Sequence, residues 1–355
     1  MILKHMMLYR LTSTGTIAVL NDFEALELKL AEKPAKAPEG GQWRCLGFGR
    51  PVPGISEQLV YSGAGGANVI ALYQHERNLP GATIRKHVAA RAAKLMEKEG
   101  RDKLFAKEMA QLRDEVTADL LPKSFIKDSV IHMVIINDLL IVGSSSAKKA
   151  EDALCVLREA LGSLSLKPYT LMVPACNWMT GLVKRTFTPA TADVLDDFQC
   201  LGSAKLFNED GSAVALKGAD LTSQEVQGYM LSDFKVNELS IGFGEEMQFT
   251  LTDKMIFKGI KFRDTLDAQA KTEADGDAAT YFDGSVAIFV GSVIKLVDAI
   301  NDAVGEERPE ISESEDESLA DTFDKAFKNI ESINGIEVWP KRTEEPAVEE
   351  EEDEL

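Results

Sequence analysis

The 355-residue sequence is short of the residues that build metal and redox sites: it has four cysteines and four histidines, all scattered. Cys45, Cys155, Cys176 and Cys200 lack zinc-like or redox spacing and read as reduced structural thiols, with Cys155 inside a buried-helix pattern. His132 lies in an apolar strand-like run and reads as a satisfied core residue. Long apolar runs are missing too. The longest, residues 130–143, is interrupted by Asn137-Asp138, and residues 285–300 are broken by Lys295 and Asp298. Neither is suited to spanning a bilayer, and no signal-peptide core precedes Arg10. A cytoplasmic protein with no membrane partner is expected. Walker loops, Gly-x-Ser-x-Gly elbows and His–carboxylate clusters are absent as well, so neither a cofactor nor catalysis is expected. Glu27-Leu28-Lys29 fits the end of a nuclease motif, but it sits in an apolar-striped helix without the upstream Asp.

Positive charge is also scarce, with 39 Lys and Arg against 58 Asp and Glu. The deficit is local. Nineteen acidic and five basic residues after Gly305 give the last fifty residues −14, leaving −5 for the other 305. The body can therefore still gather basic groups on one surface. By composition the acidic tail, 306–355, is expected to be largely disordered. Within it Leu319, Phe323, Phe327 and Ile330 keep helical spacing and precede Trp339-Pro340.

What is present is a regular mixture of strands and helices. Residues 130–136 and 139–142 read as strands joined by a tight Asn137-Asp138 turn. Ser144, Ser145 and Ser146 offer N-caps for a helix with Ala150, Ala153, Leu154, Leu157 and Leu161 on its apolar stripe and Gly162 as its stop. Gly63-Ala64-Gly65-Gly66 is followed by a strand-like run rather than a helix, so a turn is expected there instead of a phosphate cradle. Residues 234–243, 247–251 and 255–263 read as a meander. On its last strand Ile256, Lys258, Ile260 and Phe262 are expected on one face, with Phe257, Lys261 and Arg263 opposite. Residues 286–290 read as a strand, followed by a helix capped by Ser292 and ended at Gly305.

Pro80 opens a helical region reaching Leu120 with a break at Gly100. Ile84, Val88, Ala92 and Leu95 form its apolar stripe, and His87, Arg91, Lys94, Lys98 and Arg101 recur beside it at steps of four and three. Such a row is either a solvated face or a phosphate-facing one.

The order of short motifs resembles a known family. Ser146-Ala147-Lys148-Lys149-Ala150-Glu151-Asp152, with Leu157-Arg158 and Leu161-Gly162-Ser163-Leu164, is similar to the bacterial recombination-associated protein RdgC family. Asp114-Glu115-Val116, residues 120–125, Leu8-Tyr9-Arg10-Leu11 and Ile260-Lys261-Phe262 fit the same series, which runs from about Leu8 to about Gly305. The resemblance implies an α+β fold of antiparallel sheets with flanking helices, forming a ring-shaped homodimer. It also implies double-stranded DNA binding without sequence preference, antagonism of recombinase filaments in recombination and replication-fork repair, and nucleoid association. The expected regions are an N-terminal one, 1–167, containing the basic segment 82–120, a C-terminal one, 168–305, and the tail, 306–355. DNA contacts are expected from Arg91, Lys94, Lys98, Arg101, Lys123, Lys148, Lys149, Lys258, Lys261 and Arg263, and an interface anchor from Phe125. The alternative is an acidic interaction protein that imitates nucleic acid and occupies a DNA-binding partner.

Overall fold

Alternating apolar side chains build one antiparallel sheet in the computed structural model, which describes residues 3–63, 65–184, 197–263, 272 and 274–312. Its strands are β1 (His5–Leu11), β2 (Arg44–Gly49), β3 (Val60–Ser62), β4 (Asn68–Asn78), β5 (Phe125–Ile136) and β6 (Leu139–Val142). They continue with β7 (Leu166–Pro168), β8 (Phe198–Phe207), β9 (Ala213–Leu216), β10 (Lys235–Phe243), β11 (Met247–Thr252) and β12 (Ile256–Phe262). The lateral order is β2-β4-β5-β6-β1-β12-β11-β10-β8-β9, with β3 on β4 and β7 on β1. The sheet is continuous because the N-terminal β1 pairs with β6 on one edge and with β12 on the other, His5 opposite Lys258.

The helices are α1 (Thr14–Asn21), α2 (Phe23–Leu30), α3 (Gly81–Glu99), α4 (Ala106–Leu120), α5 (Ala147–Leu161), α6 (Ala175–Lys184), α7 (Gln224–Leu231) and α8 (Ala278–Val304). One sheet face buries Met6, Leu8, Phe249, Leu251 and Phe257 against α6, α7 and α8. The other buries Tyr9, Leu11, Leu72, Met133 and Leu140 against α1, α2 and α5. From α5 this second core receives Ala150, Ala153, Leu154 and Leu157, each 0% exposed. Fully burying a leucine contributes roughly 1.5–3 kcal/mol relative to leaving it exposed. A small third core, Ile84, Val88, Ala92, Leu112 and Val116, joins α3 to α4 as a helical hairpin between β4 and β5.

The hairpin turn at Asn137-Asp138, the stop at Gly100 and the 234–263 meander follow the sequence reading, and Gly100 takes the left-handed φ of 62° that ends α3. The glycine loop is the β3–β4 turn, packed so closely on α8 that a Cβ on Gly63 would lie 2.9 Å from Val286.

Three expectations are corrected. Residues 286–290 are helical: Asp277 accepts the Thr280 N–H at 2.8 Å and starts α8, so Ser292 lies inside the helix and is no cap. A short apolar run fits strand or helix alike, and here Val286, Phe289, Val290, Val293, Leu296, Val297 and Ile300 keep helical spacing across Gly291. Cys155 is exposed, because the buried stripe of α5 passes on either side of it. The segment after Gly305 does not leave the body at once. Glu306 is held by Arg10, Arg308 by Asp138, and Ser312 bridges to Ser13. The rest of the tail, including Phe323 and Phe327, lies outside the described residues. Among the described residues no helix is long and apolar enough to cross a membrane.

Candidate nucleic-acid interface

The second face of the sheet changes character at β1. Over β4, β5, β6 and β1 it lies beneath α1, α2 and α5. Beyond β1 the same face continues over β12, β11, β10 and β8 with polar residues that, apart from the buried Thr252, stay exposed or half-exposed. Register places them in rows. His5 faces Lys258, which faces Thr250, which faces Ser240. Lys261 faces Gln248, then Gly242, then Gln199. Thr252 faces Glu238, then Lys205, then Ala215.

Gly259 corrects the expected facing of β12. At a φ of 62° it inserts a bulge, so two residues of β11 (Gln248 and Thr250) span three steps of β12 (Lys261 and Lys258). Phe257 and Ile260 therefore both enter the first core with Phe262 packed beside them, and Lys258 and Lys261 share the polar face. Period-two alternation cannot anticipate a bulge of this kind.

Charge on this face is unbalanced. Lys258 and Lys205 both bind Glu238, at 2.9 and 2.8 Å. Burial pushes the Glu238 carboxyl up, and the hydrogen bonds and charges of the two lysines outweigh it and hold it below the ordinary range. Ser240 and Thr250 share a 3.0 Å hydrogen bond. Lys261 is exposed and has no ion pair among the described residues. Arg263 lies just past β12 and pairs with the exposed Glu245 at 3.3 Å. Lys205 was not singled out in the sequence. Its signal was the alternation in β8, which turns Gln199 and Lys205 outward, but only the pairing of β8 with β10 sets it beside Lys258.

The other basic candidates lie on different elements. On the helical hairpin Arg91 pairs with Asp119, and Arg101 with Glu99 and with Glu108 at 2.9 Å. Arg91 holds the Asp119 carboxyl below its ordinary value, with a smaller effect from Lys123, and Arg101 does the same for Glu108. Arg101 stands beyond the end of α3, so the helical row stops at Lys98. Lys94, Lys98 and Lys123 are exposed and have no ion pair among the described residues. Lys148 and Lys149 lie exposed in the first turn of α5, after the Ser146 N-cap. The later polar side of α5 is tied to the sheet edge by Asp152 with Arg44 and Glu159 with Lys33.

Phe125 is 87% exposed, the highest value among the described large apolar residues. It opens β5, opposite Asn78 at the end of the long β4–β5 ladder. Arg77 secures that end, donating to the carbonyls of Leu121 and Pro122 at 3.0 Å and of Pro38 at 2.6 Å. Glu27 is structural: its carboxylate accepts the N–H groups of Leu59 and Val60 at 2.9 and 2.8 Å. His132 sits against the Pro51 carbonyl at 3.0 Å, and burial holds its ring below the ordinary histidine value. Among the described residues, no three His, Cys, Asp or Glu side chains are grouped to hold a metal ion.

Known sequences follow this framework. The RdgC family model, described as "Putative exonuclease, RdgC", matches residues 1–307. A recombination-associated protein RdgC of Pseudomonas paraeruginosa is 33% identical over 309 residues, which cover 86% of this chain and 97% of that protein. Proteins of the same name from Pseudomonas putida and Pseudomonas syringae pv. tomato are 33% and 34% identical over 306 and 309 residues, with the same coverage. The match thus spans the sheet and the eight helices of the described residues, and the chain belongs to the RdgC family.

Proposed function

We propose that the protein binds double-stranded DNA without sequence preference, chiefly through the bare sheet face. The observation that carries this reading is the set Lys205, Lys258 and Lys261 among amide and hydroxyl side chains: Lys205 and Lys258 share the single carboxylate of Glu238, and Lys261 has no ion pair among the described residues. Lysines recognise phosphate as point charges, and short neutral hydrogen-bonding groups between them let a backbone approach closely. Affinity would come from counterion release, and no feature of the face selects a base. Lys94 and Lys98 on α3 and Lys123 would add contacts, as would Lys148 and Lys149 at the α5 N-terminus, where the helix dipole favours an anion. Arg91, Arg101 and Arg263 would contribute only by exchanging their carboxylate partners for phosphate.

The relatives' name places them in recombination. A nucleoid protein covering duplex phosphates would oppose recombinase filaments by denying them that duplex. A homodimer is part of the reading, with Phe125 as an anchor, since an exposed aromatic at a rigid strand end is a low-entropy contact. Sedimentation at micromolar concentration should show two subunits, with Phe125→Ser shifting the equilibrium to monomer. A monomeric wild type would remove the dimer, and an unshifted variant would remove only the anchor.

The test of DNA binding is duplex retention in a gel-shift salt series, with Lys205, Lys258 and Lys261 changed to Gln. Removing one lysine that truly neutralises a phosphate should lower the log–log salt slope by about 0.9. Unchanged affinity and slope would move the interface off this face. No retention of the wild type at low salt would favour the acidic mimic. The family description carries a second reading, an exonuclease. The same samples with magnesium and end-labelled duplex test it, since released nucleotides would make the protein an enzyme rather than a binder.

A further inference from the structure

The segment after α8 is fixed before it becomes acidic. Arg10 grips Glu306 with Nε and Nη2 at 2.7 and 2.9 Å, and its Nη1 holds Asp138 at 3.0 Å. Both members of the Arg10–Glu306 pair are nearly buried, with side chains 8% and 5% exposed. Glu307 donates its N–H to Thr170, Arg308 reaches Asp138 at 2.6 Å, and Ser312 donates its N–H to the Thr12 carbonyl at 2.7 Å. This strap runs past the end of the family match at 307 and releases the chain beside Ser13, two residues beyond β1.

Residues 313–355 hold sixteen acidic and four basic residues. Their starting point is set by the strap. The far end of β1, His5, lies opposite Lys258 on the bare face. Six residues of strand cover about 20 Å, and a 43-residue segment, taken as a flexible linker, would have a root-mean-square reach of about 35 Å. The bare face is thus within range, and it has a surplus of ammonium groups. The helical hairpin is a poorer match, because α4 supplies Glu108 and Asp119 to Arg101 and Arg91.

We infer that residues 313–355 dock as a tethered polyanion on the bare sheet face around Lys205, Lys258 and Lys261 and regulate access of duplex to it. The regulatory part rests on the duplex reading above. The occupant is this chain's own segment, since it is acidic, permanently adjacent and anchored at a known point. Tethering raises its effective concentration to about the millimolar range, and salt screens the interaction. The face lies within the family match and the tail outside it, so the competition is a property added to the shared framework.

The first measurement needs no DNA. Carbodiimide treatment of the full chain at low salt should form isopeptide bonds between tail carboxylates and Lys205, Lys258 or Lys261, read by mass spectrometry. Their yield should fall with added salt and with added duplex. The second uses a full-length variant with Glu349→Gln, Glu350→Gln, Glu351→Gln, Glu352→Gln, Asp353→Asn and Glu354→Gln. It should bind duplex about tenfold more tightly than the wild type at low salt, with the gap closing as salt rises. Absence of those crosslinks together with equal affinities at every salt would overturn the docking while leaving the duplex reading intact. Crosslinks confined to Lys94 and Lys98 would overturn the assignment to the sheet. Crosslinks to the sheet lysines with no duplex retention at any salt would overturn the duplex reading and leave the docking standing.

Discussion

Two halves of one sheet face have different fates. Over β4, β5, β6 and β1 the outward residues are Leu72, Met133, Leu140 and Tyr9, and helices cover them. Over β12, β11 and β10 the equivalent positions are Lys258, Thr250 and Ser240, and they remain partly open. The backbone is the same antiparallel ladder in both halves. The side chains decide whether a helix is recruited. Apolar residues must leave water, whereas a lattice of lysines, amides and hydroxyls is satisfied where it stands. Because the opposite face over β12, β11, β10 and β8 is apolar, the bare half is fixed by its own core beneath α6, α7 and α8, and its polar side is free to bind something.

The sharpest way to break this comparison is to truncate one side chain in each half. Leu157→Ala on α5 removes a fully buried side chain from the covered half and should cost about 2–5 kcal/mol of stability in urea unfolding. Ser240→Ala on the bare half removes only the Thr250 hydrogen bond and should cost about 0.5–1.5 kcal/mol. Equal costs would mean that the bare half is buried against something in solution.

A smaller change sharpens the comparison. Glu238→Gln frees Lys205 and Lys258 from their shared carboxylate, so duplex affinity should rise severalfold at low salt, opposite to the effect of the lysine substitutions. The carboxyl is held low in the folded chain, and a depressed carboxyl stabilises above its unfolded value and loses that contribution as pH falls through the folded one. Glu238→Gln should therefore flatten part of the acid limb of unfolding below about pH 4.3. Weaker duplex binding by this variant would show that the carboxylate, rather than the lysines, faces the ligand.

Local chemistry was legible in the sequence, and long-range pairing was not. The Asn137-Asp138 turn, the Gly100 stop and the α5 stripe each depend on neighbouring residues, and all are found. The 286–290 strand failed because a five-residue apolar run has no decisive period. The facing of β12 failed because the Gly259 bulge breaks alternation. Lys258 and Lys261 could be singled out as exposed basic residues of a strand, but not their neighbours. Lys205 reaches Lys258 only across β10 and β11, through Glu238. The basic row on α3 was read correctly as a row up to Lys98, whereas the carboxylates that α4 sets against Arg91 and Arg101 come from a second helix.

The place of β1 at the middle of the sheet also sets a timetable for synthesis. One edge of this strand is closed by β6, made about 130 residues after it, while much of the other waits for β12, about 110 residues later still. At roughly 5–20 residues per second, that second interval lasts on the order of ten seconds. The strap that seals Arg10 arrives later again, with Glu306 and Arg308. Throughout that interval the amino-terminal half of the newborn chain carries a strand with a raw edge, a template for pairing with any neighbouring nascent chain. A sheet in which β1 waits for β12 is not closed until β12 has been made.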